Sequence, residues 1–129
     1  MNIRYAEKIN NLIAGKDIDG LEKYLQELNE TETFDTDLFY TFYILNIIKA
    51  EKESGEATLM DYYSDISDIL CALKELRRMV RRFEWCDEFD KSEILLYMSK
   101  NHLSAYVLYW VIETCCVDGD RVWGCIRNE

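Results

Sequence analysis

What most constrains this chain is a residue it lacks. Its 129 residues contain no proline, where roughly one residue in twenty would be usual. Proline removes a backbone donor and clashes with the preceding helical turn. With glycine, it is also the main punctuation of strand-and-turn folds. A chain with no proline and only 5 glycines is free to run in helices and poorly equipped for a β fold. The expectation is an all-α fold in a single domain over residues 1–129, a helical bundle or short stack of helix hairpins with about five to seven helices. At this length the fold can bury roughly two thirds of the surface its unfolded chain exposes.

Hydrophobic spacing places the helices. Tyr5, Ile9, Leu12 and Ile13 recur at helical spacing in a first helix over 2–14, with Gly15 as its left-handed cap. Leu21, Tyr24, Leu25 and Leu28 form the apolar face of a second, from about Asp19 to Asn29. A third, over about 36–53, is apolar nearly all round from Leu38 to Ile48, a pattern that suits the middle of a bundle. Asp35 is its expected N-cap and Gly55 its stop. A turn over 58–63 leads to Ser64 or Asp65 as the next cap. Ile66, Ile69, Leu73, Leu76, Val80 and Phe83 then alternate steps of three and four, a seam facing a partner helix. Asp90 is placed to cap a fifth helix over about 91–100, with Ile94, Leu95 and Met98 inward. Ser104 caps a sixth over 105–116, with Leu103 and Leu108 at the positions of a hydrophobic staple. Asp120 is placed to open a short last helix. Successive hairpins raise a tetratricopeptide-like stack, but the spacing pattern of that repeat is absent.

The first residues, "MNIRYAEKINNL", lack the apolar run of a signal peptide. The most apolar stretch, Leu38 to Ile48, is far shorter than the roughly 20 residues that span a bilayer. A cytoplasmic protein with no membrane partner is expected. The 5 cysteines are odd in number and form no C-x-x-C pair, so they read as buried, reduced thiols.

Three runs, "KAEKESGEATL", "LKELRRMVRRFEW" and "NHLSAYVLYWVIE", resemble a helical family of Gram-positive gut bacteria over roughly residues 40–125. Some members lie beside or within glycosyltransferase proteins. The resemblance implies a helical, tetratricopeptide-like accessory domain, and it carries over no catalytic residue.

No residue pattern points to catalysis. There is no G-x-S-x-G, no glycine-rich phosphate loop and no H-E-x-x-H. His102 is the only histidine, and its spacing from Cys86, Cys115, Cys116 and Cys125 matches no zinc pattern. The chain is expected to be no enzyme and to need no cofactor or metal.

Charge is the informative property. The formal net charge is −10. Residues 1–70 hold 15 acids and 6 bases, whereas residues 71–85 hold 5 bases and 2 acids. Four of those bases, Arg77, Arg78, Arg81 and Arg82, crowd one short run. On a helical wheel at about 100° per residue they span roughly 100° to 240° from Leu76, while Val80 and Phe83 lie within roughly 40° of it. The arginines therefore read as a solvated face opposite the seam. Like charges four apart repel by a few tenths of a kcal/mol, and only Glu75 (with Arg78) and Glu84 (with Arg81) offer local relief.

The expected role is a non-enzymatic protein–protein interaction module, binding through the Arg77, Arg78, Arg81 and Arg82 face or through exposed aromatics such as Trp123. The alternative is an acidic inhibitor or immunity-type protein that mimics nucleic acid through Glu30, Glu32, Asp35 and Asp37. Self-association, in which the arginine face of one copy meets the acidic half of another, is a third reading. Direct nucleic-acid binding is disfavoured, because the rest of so acidic a chain repels phosphates.

Overall fold

The computed structural model describes residues 3–31, 35–86 and 90–127. Among them are eight α-helices and no strand: α1 Ile3–Ala14, α2 Ile18–Thr31, α3 Thr36–Ser54, α4 Leu59–Tyr62, α5 Ile66–Trp85, α6 Lys91–Lys100, α7 Ala105–Cys115 and α8 Gly119–Arg127. The fold is all-α, as the composition predicts, but the helix count exceeds the expected five to seven. The addition is α4, where a simple turn is expected. There Thr58 and Asp61 form a reciprocal capping box that closes one helical turn. The helices fall into two compact units, residues 1–70 and 71–129.

In unit 1, α1 packs on α2 and α2 on α3. Tyr5, Ile9 and Ile13 meet Leu21, Leu25 and Leu28 in a core completed by α3, whose Ile44, Leu45, Ile47 and Ile48 are all buried. Lys8 lies over the Tyr24 ring at 4.3 Å, and Lys49 pairs with Glu22 at 3.2 Å. Asp35 caps α3 by accepting from the backbone N–H groups of Asp37 and Leu38, and Gly55 ends it at φ 79°. The stop of α1 differs from expectation. Gly15 still donates to Asn11, and Lys16 takes the left-handed conformation, at φ 54°. The next residue, Asp17, is then free to start α2. Its Oδ1 accepts from the Gly20 N–H at 2.9 Å, and a Cβ on Gly20 would clash with the Asp17 carboxylate. Glycine at position 20 costs helix propensity but leaves room for the cap. Ile66 N–H donates to Asn10 Oδ1 at 2.7 Å, which ties the start of α5 to α1, and Asp65 caps α5 through Ser67.

In unit 2, Leu73, Leu76 and Val80 of α5 are buried with Ile94 and Met98 of α6, Val107, Leu108 and Ile112 of α7, and Val122 and Ile126 of α8. Asp90 and Ser104 cap α6 and α7, and Leu103 and Leu108 are both buried. Two expectations fail. Leu95 points outward with 37 % of its surface exposed, because α6 turns only Ile94 and Met98 to the core. The cap of α8 is Asp118 rather than Asp120: its Oδ1 accepts from Arg121 N–H at 3.3 Å and its backbone carbonyl from Val122.

A groove between α5 and α6

The arginines do not form one uniform face. Arg77 and Arg81 differ from Arg78 and Arg82 by one residue, or about 100° around the helix, and the two pairs reach different neighbours. Burial pushes the Cys115 thiol, at the end of α7, above its ordinary value; its bond to Cys116 and the charges of Arg77 and Arg81 pull the other way. That pair therefore lies toward α7, and Arg77 is half-buried.

Arg78 and Arg82 lie toward α6. Together the two helices line a groove enclosing about 340 Å³. The α5 wall is Glu75, Arg78, Met79 and Arg82; the α6 wall is Glu93, Leu96, Tyr97 and Lys100. Both sets follow the same i, i+3, i+4, i+7 spacing, which makes one stripe along each helix. Each stripe begins on a glutamate, ends on a cation and carries apolar surface between. Tyr97, in the second half of α6, donates to the Ala72 carbonyl, near the start of unit 2, at 3.4 Å, so the helices run antiparallel here. Leu96 keeps 55 % of its surface exposed.

Electrostatics set the groove's balance. Arg78 donates from Nε (3.1 Å) and Nη2 (2.5 Å) to the two oxygens of Glu75. This forked pair holds the Glu75 carboxyl below its usual range and the Arg78 guanidinium above. The groove thus presents three cations against two carboxylates, one of them already bound to Arg78.

The expected relief of Arg81 by Glu84 is absent, because Glu84 has another task. It is buried, with 7 % exposed, and its oxygens accept from Val117 N–H at 3.2 Å and Asp118 N–H at 2.9 Å. Arg121 donates back to the Glu84 carbonyl at 3.3 Å. Two hydrogen bonds to a carboxylate outweigh an exposed ion pair three residues apart. Among the described residues, every buried side-chain nitrogen or oxygen has a hydrogen-bond partner.

The other candidates lie elsewhere. Trp123, half-buried on α8, meets Tyr109 edge-on at 5.7 Å, with the Arg127 guanidinium 5.7 Å from its ring centre. Glu30 is exposed near the end of α2, and Glu32 lies outside the described residues. Asp35 and Asp37 open α3, and Asp35 also accepts from the Tyr5 hydroxyl. That bond first, and then the two capping N–H groups, hold the Asp35 carboxyl below its ordinary value. The cysteines are not uniformly buried: Cys71 and Cys125 are exposed and the other three half-buried, all free thiols. Cys115 and Cys116 Sγ lie 3.8 Å apart. Among the described residues no group of three His, Cys, Asp or Glu is arranged to hold a metal ion, and no helix is long and apolar enough to cross a membrane.

Met79, Glu93, Leu96, Tyr97 and Lys100 were not singled out by sequence reasoning. Their signal was present, since the α6 stripe repeats the α5 spacing. It was masked by assigning Leu95 to the core, which rotates the α6 face away from the groove. Comparison of the chain with protein-family models, with curated proteins and with solved structures finds no match to any of them.

Proposed function

We propose that the chain is a cytoplasmic, non-enzymatic protein-interaction module that works through the α5–α6 groove. One observation carries this reading: exposed Leu96 sits with Met79 and Tyr97 among Arg78, Arg82 and Lys100, on a chain of net charge −10. Apolar and aromatic surface rimmed by arginine is the composition that protein interfaces favour. The stripes use side chains the core does not need, since Ile94 and Met98 already anchor α6. A nucleic-acid mimic working through Glu30, Asp35 and Asp37 has less to offer a partner, because the Asp35 carboxylate already serves Tyr5 and the start of α3.

Affinity capture with the immobilised chain tests the proposal. Arg78→Glu with Arg82→Glu, and separately Leu96→Glu, are expected to lose the protein that the native chain retains. Retention at the native level by both variants, with circular dichroism unchanged, sinks the groove as the docking surface.

A further inference from the structure

With the groove taken as the docking surface, as proposed above, its chemistry selects among occupants. We infer that it receives an acidic amphipathic helix of a partner protein, apolar residues on Leu96 and Met79, carboxylates against Arg78, Arg82 and Lys100.

Shape selects a helix. Each stripe spans eight residues, or about 10 Å along its axis, and two antiparallel helices offer a trough into which the ridges of a third helix can pack. A peptide that binds by strand addition needs a sheet edge, and the described residues contain no strand. Charge selects acids. Among the described residues the groove lining holds three cations, Arg78, Arg82 and Lys100, against Glu75 and Glu93, and Glu75 is already engaged by Arg78. A helix with Asp or Glu flanking its apolar stripe meets cations at both ends of the trough, since Lys100 lies toward the Glu75 end and Arg82 toward the Glu93 end. Charge also disfavours a second copy of the chain. Two chains of net charge −10 repel one another as they approach. A short helix brings only carboxylates within the roughly 8 Å over which the groove cations act at physiological salt. Leu96, with 55 % of its surface exposed, and Met79 supply the apolar half of the recognition.

The probe is a synthetic peptide of about four turns, acetylated and amidated, with leucines one turn apart on one face and glutamates flanking them. Its twin carries lysines for the glutamates. Fluorescence anisotropy with the full chain is expected to show saturable binding of the glutamate peptide, weakening as salt rises, and none of the lysine twin. Leu96→Ser and Arg78→Glu/Arg82→Glu are each expected to weaken binding about ten-fold. Lys100→Glu serves as the charge test if the double variant does not fold. Equal binding of both peptides, or binding of neither, overturns the acidic-helix assignment. If the groove variants nevertheless lose the captured cellular protein, the interaction module stands and only its partner class falls. Dimerisation in sedimentation that the groove variants abolish gives the groove to a second copy. Displacement of the glutamate peptide by single-stranded oligothymidylate gives it to nucleic acid. Either result overturns the assignment.

Discussion

Each unit of the molecule buries one glutamate near the C-terminal end of a long helix, and the two do different work. In unit 1, Glu51 on α3 is 1 % exposed and its Oε1 accepts from the Leu59 N–H, eight residues on, at 3.2 Å. In unit 2, Glu84 on α5 serves two N–H groups, of Val117 and Asp118, more than thirty residues on. The first closes a neighbouring turn. The second holds the α7–α8 connection to α5, two helices away in the chain. Three aspartates of unit 1, Asp17, Asp35 and Asp61, also cap helices within three residues of themselves. In unit 2 a buried acid spans the fold, and Arg78 and Arg82 of α5 line the groove. The bonds of the two buried glutamates thus span eight residues in one unit and more than thirty in the other.

The largest expected effects test that contrast. Glu84→Ala strands two N–H donors and is expected to cost about 2–3 kcal/mol in urea unfolding. Glu51→Ala, which strands the Leu59 N–H, is expected to cost about 1–2 kcal/mol. Equal costs, or a larger one for Glu51, would break the comparison. Asp35→Ala comes next, at about 1 kcal/mol for a lost N-cap. Because the folded Asp35 carboxyl titrates below its unfolded value, its contribution is complete above the unfolded value and is lost as pH falls through the folded one. Asp35→Asn keeps a capping side chain but not the charge. It is therefore expected to flatten the loss of stability below about pH 4, and an unchanged acid limb in that variant would refute the assignment. The smallest effect belongs to the groove: Arg78→Glu with Arg82→Glu is expected to lower the unfolding midpoint only slightly, by less than Asp35→Ala does, since both side chains are exposed and the Glu75 pair it breaks lies at the surface. A clear drop would make these arginines part of the fold rather than part of a surface.

What could be read from the sequence follows the same division. The caps at Asp35, Asp90 and Ser104 and the stop at Gly55 are chemistry confined to one helical turn, and each lies where the sequence puts it. The failures are competitions decided by more distant groups. Gly15 is the expected left-handed stop of α1, but that conformation falls on Lys16, the residue before Asp17 begins α2. Glu84 has Arg81 three residues before it, yet it turns to backbone donors that only the tertiary fold brings near. The candidate site was half legible for the same reason. The cations of α5 stand out against an acidic chain, whereas the α6 wall becomes visible only once Ile94 and Met98 fix which way that helix faces.

The paired thiols at the end of α7 have a practical consequence. Burial, and then the Cys115 neighbour, push Cys116 up to about 12, and Cys115 is raised as well. Both stay protonated at neutral pH, and alkylating reagents attack the thiolate. Maleimides should therefore modify the exposed Cys71 on α5 and Cys125 on α8 first, a selectivity that peptide mass spectrometry reads directly. Spin labels at those two native positions would report, with no engineered cysteine, whether α8 shifts against α5 when a peptide enters the groove.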